Sequence, residues 1–304
     1  MSDVSIPRVT RGMLSIPRLA ILLTLVIGIA YACAQLAAVV PEAFDAKAYW
    51  LASQADPYAR SSVGQGYAYL YSPAFIQVLA PFQLLPWPVF SAAWTVVLVG
   101  LMVWAAGPWS LPLLAILPVF SAITIGNIEF FLVAAIVAGF RRPGTWAFVL
   151  LTKSSMGIGL VWFLVRREWR SLAWAMGVTL AAVAVSFVLA PALWFDWVQV
   201  LTRNQDATVQ IWTLPGPLWL RAGLGAVIIA VGARTERAWT VPVGAAIALP
   251  VAWGSLWAIM AVGVVAVLRR DPNSILARLE RGRSRTAAAE SEPPLPLPTS
   301  AARP

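Results

Sequence analysis

Residues 88–106 read PVFSAAWTVVLVGLMVWAA, a run without one charged side chain. Coiled as a helix at ~1.5 Å per residue, it reaches roughly 28 Å, close to the ~30 Å hydrocarbon core of a bilayer. Residues 171–190 (SLAWAMGVTLAAVAVSFVLA) and 19–40 (LAILLTLVIGIAYACAQLAAVV) repeat the pattern. The block at 19–40 is longer than the apolar region of a secretory signal, so we expect an uncleaved spanning helix. Further apolar blocks lie at 73–86, 109–124, 127–140, 216–233, 239–250 and 252–268. Those at 144–152 and 154–165 are too short to span alone.

Composition agrees with these blocks. Hydrophobic residues make up 60% of the chain and charged ones 12%, with a mean hydropathy of +0.77. A soluble domain carries about 25% charged residues to cover its surface. This chain lacks the charge to do so. The expectation is an all-α, polytopic transmembrane helical bundle with about nine or ten crossings, multi-pass in the cell membrane. Residues 1–17 form an N-terminal tail, 18–270 the membrane domain, and 271–304 a charged, then Pro-rich, disordered tail.

The net charge of +9 sits mostly in short basic clusters between apolar blocks. They are Arg8, Arg11 and Arg18; Arg141 and Arg142; Arg166, Arg167 and Arg170; Arg234 and Arg237; Arg269 and Arg270. Short basic loops mark cytoplasmic connections, and these lack the interleaved aromatic residues that single-stranded nucleic acid needs. Nucleic acid is therefore not an expected partner; the lipid bilayer is. With every Arg cluster inside, both termini are cytoplasmic. The polar loops at 41–72 and 191–215, and the turning points at Gly126-Asn127, Lys153 and 250–253, then share the outer side. The block at 73–86, holding Pro73, Pro81 and Pro86, is expected to be re-entrant or interfacial, since a full crossing would put Arg141 outside.

The lone Cys33 excludes an intrachain disulfide, and the chain has no His. Proton transfer must therefore fall to Asp, Glu, Lys or Tyr. No metal cluster is recognisable and no cofactor is expected. The first outer loop concentrates the candidates: Phe44-Asp45-Ala46-Lys47-Ala48-Tyr49-Trp50, then Asp56-Pro57-Tyr58, then Tyr67, Tyr69 and Tyr71-Ser72-Pro73. Aromatic faces stack on sugar C–H surfaces, and a desolvated carboxylate becomes a better base. The same composition also suits an interfacial aromatic belt with incidental acids. Lys153, amid apolar residues, is a functional candidate, through a phosphate or through an ion pair with intramembrane Glu129.

The order D…YW…DPY…Y-x-Y-S-P-x-F, followed by Leu85-Pro86 and Trp94, resembles the first outer loop and following helices of family 87 glycosyltransferases, membrane enzymes of GT-C architecture. Gly126-Asn127 is similar to that family's Gly-Gln-x-Asn turn, although here the turn continues Ile128-Glu129. Lys153 with Arg166-Arg167-Glu168-Trp169-Arg170 resembles its lysine and basic loop, but Ser154-Ser155-Met156 replaces the Pro-rich continuation. Arg203-Asn204-Gln205 with Arg221 is similar to its Asn-Gln-Ser segment. Pro250-Val251-Ala252-Trp253 is similar to its Pro-x-Ser-Trp stretch, followed here by Gly254-Ser255. The resemblance runs over roughly residues 40 to 265.

The resemblance implies an inverting glycosyltransferase. It would move a sugar, mannose or arabinofuranose, from a polyprenyl-phosphate donor to a glycolipid or polysaccharide acceptor of the cell envelope on the non-cytoplasmic side. Asp45 maps onto the catalytic base; Asp56, counted with the substrate-binding residues, reads as a turn-capping acid, with the base role as its alternative. Lys153 would hold the donor phosphate, with Arg203 and Arg221 as alternatives. Tyr49, Tyr58, Tyr71, Asn127, Glu129, Asn204, Gln205 and Trp253 complete the expected substrate-binding set. The competing expectation is a non-catalytic relative acting as a transporter, lipid-sugar flippase or assembly partner, which an intramembrane Glu129–Lys153 pair would also suit.

Overall fold

The computed structural model describes residues 43–204, 216–251 and 255–282, which fold into helices and irregular connections with no strand among them. The helices are α1 (Phe44–Leu51), α2 (Pro73–Gln83), α3 (Trp87–Ala106), α4 (Ser110–Leu114), α5 (Leu117–Ile125), α6 (Glu129–Gly139), α7 (Trp146–Thr152), α8 (Val161–Val165), α9 (Trp169–Leu189), α10 (Pro191–Asn204), α11 (Leu218–Arg234), α12 (Thr240–Ile247) and α13 (Ser255–Arg270). The expected spanning helix at 19–40 and the tail at 1–17 lie outside the described residues.

Two described helical stretches are long and apolar enough to cross a membrane, Trp87–Leu114 and Trp169–Leu189. A third span results if α5 and α6, which meet at 108°, are one broken crossing. The outward faces of α3 and α9 are apolar: Val96 is 70% exposed and Val188 80%. In water such faces would be a liability, whereas against acyl chains they carry no penalty. The chain is an all-α membrane protein. Several blocks that read as uniform apolar runs are broken into short pieces, because Pro residues open new helices at their first turns and deny the preceding segment a hydrogen bond. Pro73, Pro88, Pro118 and Pro143 all sit at such starts. The expected re-entrant block is α2, whose 11 residues reach only about 16 Å, half of the hydrocarbon core.

α6 is the central strut. Phe130, Leu132, Val133 and Ile136 are fully buried, and the helix packs against α13, α3 and α7. A helix apolar around its whole circumference needs neighbours on every side. α11 and α12 approach so closely that a Cβ on Gly225 would stand 2.4 Å from the carbonyl oxygen of Gly244. Small residues permit that contact and make dispersion the binding force between helices in lipid.

Two expectations are corrected by packing. The stretch at 191–215, read as a loop, is helical over Pro191–Asn204, while 205–215 lies outside the described residues. Its sequence alternates too irregularly to register as a spanning block. Leu193, Trp197 and Val200 face the protein while Asp196, Gln199 and Arg203 are exposed, which makes α10 amphipathic. The tail beginning at Asp271, read as disordered to the end of the chain, is packed as far as residue 282. Ser274 and Ala277 are buried there, and Glu280 accepts hydrogen bonds from Arg269 Nε (2.6 Å) and Trp109 Nε1 (3.0 Å). The charge that suggested disorder is what ties this segment down.

The bend between α5 and α6 turns on Gly126, which ends α5 in the left-handed region (φ 76°, ψ 30°). A Cβ there would stand 2.5 Å from the Ala46 side chain of α1. Backbone conformation and close approach thus both require glycine. Gly126→Ala is expected to destabilise the fold by about 1–3 kcal/mol, read as a lower thermal unfolding midpoint in detergent. An unchanged midpoint would show that α1 does not constrain the bend.

Candidate active site

The outer-loop residues meet the bend. α1 is carried on the end of α2: Gln83 Nε2 donates to the carbonyls of Tyr49 (2.6 Å) and Ala52 (2.9 Å), and Trp50 Nε1 to that of Leu85 (2.9 Å). The two Gln83 bonds satisfy carbonyls left unpaired at the end of α1, and the Trp50 bond ties α1 to the chain just after α2. The helix thereby presents Asp45 and Tyr49 toward Gly126 and Asn127. From the other side, Trp94 of α3 donates to the Gly126 carbonyl at 2.7 Å.

Asn127 is the junction. Its Oδ1 accepts the Ile128 backbone N–H at 2.7 Å, which fixes the orientation of the amide. Its Nδ2 consequently points at Asp45 and donates to Oδ2 at 2.5 Å. The Tyr49 hydroxyl lies 3.5 Å from Asn127 Oδ1 and 3.1 Å from the Tyr71 hydroxyl. Phe75, Tyr49 and Tyr71 pack edge-to-face, with Trp94 tilted against Tyr49, in an aromatic wall around this pair. Lys153 lies where α7 breaks, and its Nζ stands 3.8 Å from Glu129 Oε1 in an ion pair. Of the two partners weighed from sequence, the carboxylate is therefore present. Glu129 is fully buried, and Lys153 is close enough to act electrostatically on Asp45 as well.

Burial pushes the Asp45 carboxyl up to about 6, against the opposing pull of the Lys153 charge and the Asn127 hydrogen bond. At neutral pH it is ionised yet more basic than an ordinary aspartate, the poise of a general base. Burial raises the phenols of Tyr49 and Tyr71 as well, so both remain neutral hydroxyls able to donate or accept.

Of the residues singled out from sequence, Asp45, Tyr49, Tyr71, Asn127, Glu129 and Lys153 converge. Others have different work. Tyr58 is buried and donates to the Tyr71 carbonyl at 3.0 Å, supporting the site from behind. Asp56 is exposed on a turn whose N–H groups at 55 and 56 bond to Ser53 Oγ. Asn204 receives the Val63 N–H (2.8 Å) and donates to the Ser61 carbonyl (2.7 Å), while Arg203 reaches Ser61 Oγ (3.3 Å); together they pin the outer loop to α10. Arg221 is buried, with its guanidinium on the carbonyls of Leu249 (2.6 Å) and Pro250 (3.0 Å). Gln205 and Trp253 lie outside the described residues. Trp94 and Gln83 were not among the expected site residues, although a polar or N–H-bearing side chain inside an apolar block is itself a signal of a buried partner.

An all-helical membrane protein with a basic aspartate, an orienting amide and a cation at the elbow of a bent helix has the parts of a group-transfer enzyme. The chain belongs to glycosyltransferase family 87, whose profile matches residues 69–279. No curated protein and no solved structure matches it. Asp45, Tyr49, Asp56 and Tyr58 precede the matched span. Asp45 is nevertheless joined to the span by its hydrogen bond to Asn127.

Two outcomes follow for sugar transfer. The rate should fall as the pH drops through about 6, because only the ionised Asp45 accepts a proton. Asn127→Ala removes a hydrogen bond that favours the carboxylate, so the acid limb should move to higher pH and the maximal rate drop roughly tenfold or more through lost orientation. An acid limb unchanged in the variant would remove Asn127 from the account.

Proposed function

We propose that this glycosyltransferase takes its sugar from a polyprenyl-phosphate donor and passes it to a hydroxyl of a cell-envelope glycolipid or polysaccharide on the non-cytoplasmic side. The sugar is mannose or arabinofuranose. The observation that carries the reading is the placing of Asp45, held by Asn127, within electrostatic reach of the Lys153 cation. In the proposed step the acceptor hydroxyl gives its proton to the Asp45 carboxylate as its oxygen bonds to the anomeric carbon. The bond from that carbon to the phosphate oxygen breaks, and polyprenyl phosphate leaves with the electron pair. Attack opposite the leaving group inverts the configuration.

Lys153 serves the leaving phosphate. Its pairing with Glu129 at 3.8 Å is looser than a hydrogen bond, so an incoming phosphate oxygen can take the ammonium at closer range. Glu129 gives the lysine a counter-charge when no donor is bound. The neutral Tyr49 and Tyr71 hydroxyls, with the aromatic wall behind them, suit a sugar ring through hydrogen bonds and stacking. A transporter or flippase would use the same intramembrane ion pair, but would give the ordered Asp45–Asn127 pair no task.

Incubating purified protein with radiolabelled polyprenyl-phosphate sugars and envelope acceptors tests the reading. Asp45→Asn is expected to lower transfer roughly 10²–10⁴-fold, as loss of a general base does. It should leave the unfolding midpoint equal or higher, because the buried charge is gone. Lys153→Ala should raise the KM for the donor. Full activity in Asp45→Asn would dismiss the base, and an unchanged donor KM in Lys153→Ala would dismiss the phosphate ligand.

A further inference from the structure

A second feature lies away from the Asp45 cluster, toward the arginine-bearing ends of the helices. An open groove of about 470 Å³ runs between α3 and α6, with the turn into α7 as its far wall. Its lining is Leu101, Trp104, Ala134, Ala138, Thr145 and Phe148, among others. Ala134 and Ala138 are one turn apart on α6, and their short side chains leave the space. Thr145 contributes no loose polarity, since its Oγ1 donates to the Ala135 carbonyl at 2.7 Å. At one end the Phe148 ring packs against Phe75 and Phe131, a wall between the groove and the Asp45 cluster.

The other end is rimmed by positive charge. Arg141 and Arg142 follow α6 directly, their N–H groups bonding to the carbonyl of the groove residue Ala138 (3.0 and 2.8 Å), and both are exposed. Arg270 lays its guanidinium over the Trp104 ring at 4.4 Å and donates to the carbonyls of Trp104 and Ala105. Arg141, Arg269 and Glu280 are its electrostatic neighbours, and Glu280 is taken up by Arg269 at 2.6 Å, which leaves Arg141, Arg142 and Arg270 as the cations of the rim. Like charges gathered at one rim repel one another, and an anion placed among them relieves that repulsion.

We infer that this groove binds an anionic phospholipid of the leaflet on the arginine side, one acyl chain lying along Ala134 and Ala138 and the headgroup phosphate among Arg141, Arg142 and Arg270. The volume falls in the range of sites that take a lipid-sized ligand segment, and basic pockets between membrane helices select anionic headgroups. The apolar run at 19–40 is the poorer occupant on charge alone, because it carries no acid to meet the rim and is preceded by Arg18. The site is separate from the donor site proposed above and does not depend on it.

Native mass spectrometry of the full chain released from nanodiscs tests this. From discs of mixed phosphatidylcholine and phosphatidylglycerol, the protein should retain phosphatidylglycerol. Arg141→Gln with Arg142→Gln should reduce that retention on the order of tenfold or more. Both side chains are exposed, so the fold should survive. Ala134→Leu with Ala138→Leu, which fills the groove and leaves the arginines, should reduce it similarly. Equal retention of the two lipids, or phosphatidylglycerol binding unaffected by groove filling, would overturn the assignment. A photo-crosslinking residue at position 134 should give a phospholipid adduct. A peptide adduct instead, to residues 19–40 or to a second copy, would also overturn it.

Discussion

The hydrogen bond from Asn127 to Asp45, at 2.5 Å, joins two parts of the chain that lie far apart in sequence. One is a short helix on the outer loop; the other is the elbow of a broken helix in the middle of the bundle. Gly126 makes the elbow, and its missing side chain lets Ala46 approach. Trp94 and the Ile128 N–H then fix the carbonyl and the amide on either side of it. Remove the amide, and the aspartate becomes a buried carboxylate favoured only by the field of Lys153.

That arrangement also explains an energetic oddity. Burying a carboxylate and an ammonium near one another in a membrane protein costs more than leaving apolar residues in their place. The fold accepts Asp45, Glu129 and Lys153 within one neighbourhood, and the acid nearest the outer loop is held in a basic, ionised state. A purely structural cluster would be better served by neutral groups. Glycosyl transfer needs a proton acceptor for the incoming hydroxyl, and in the proposed reading a counter-charge for the leaving phosphate on the other side.

Much of this was legible in the chain itself, for physical reasons that differ from place to place. The uninterrupted apolar runs at 88–106 and 171–190 announced helices because no other structure satisfies backbone groups in lipid. The Gly126-Asn127 turn stood out as polarity inside an apolar block, and the clustered aromatic residues after Asp45 pointed to the site. The partners of long cationic side chains were not legible. Arg221 holds the carbonyls of Leu249 and Pro250 and Arg203 reaches Ser61, whereas the Lys153–Glu129 pair was one of the two pairings the sequence offered. Spacing along a chain does not say which carbonyl or carboxylate a flexible side chain will find across the bundle. The packed stretch after Asp271 was hidden for the same reason, since its anchor, Glu280, depends on a distant tryptophan and a neighbouring helix end.

The central claim is that the Asp45 cluster works on the non-cytoplasmic side. Asp56 sits on an exposed turn of the same loop, so Asp56→Cys in a Cys33→Ser background offers a single thiol there. In intact cells, a membrane-impermeant maleimide should label that thiol from outside. Labelling seen only after the cells are opened would put the loop in the cytoplasm and contradict the account.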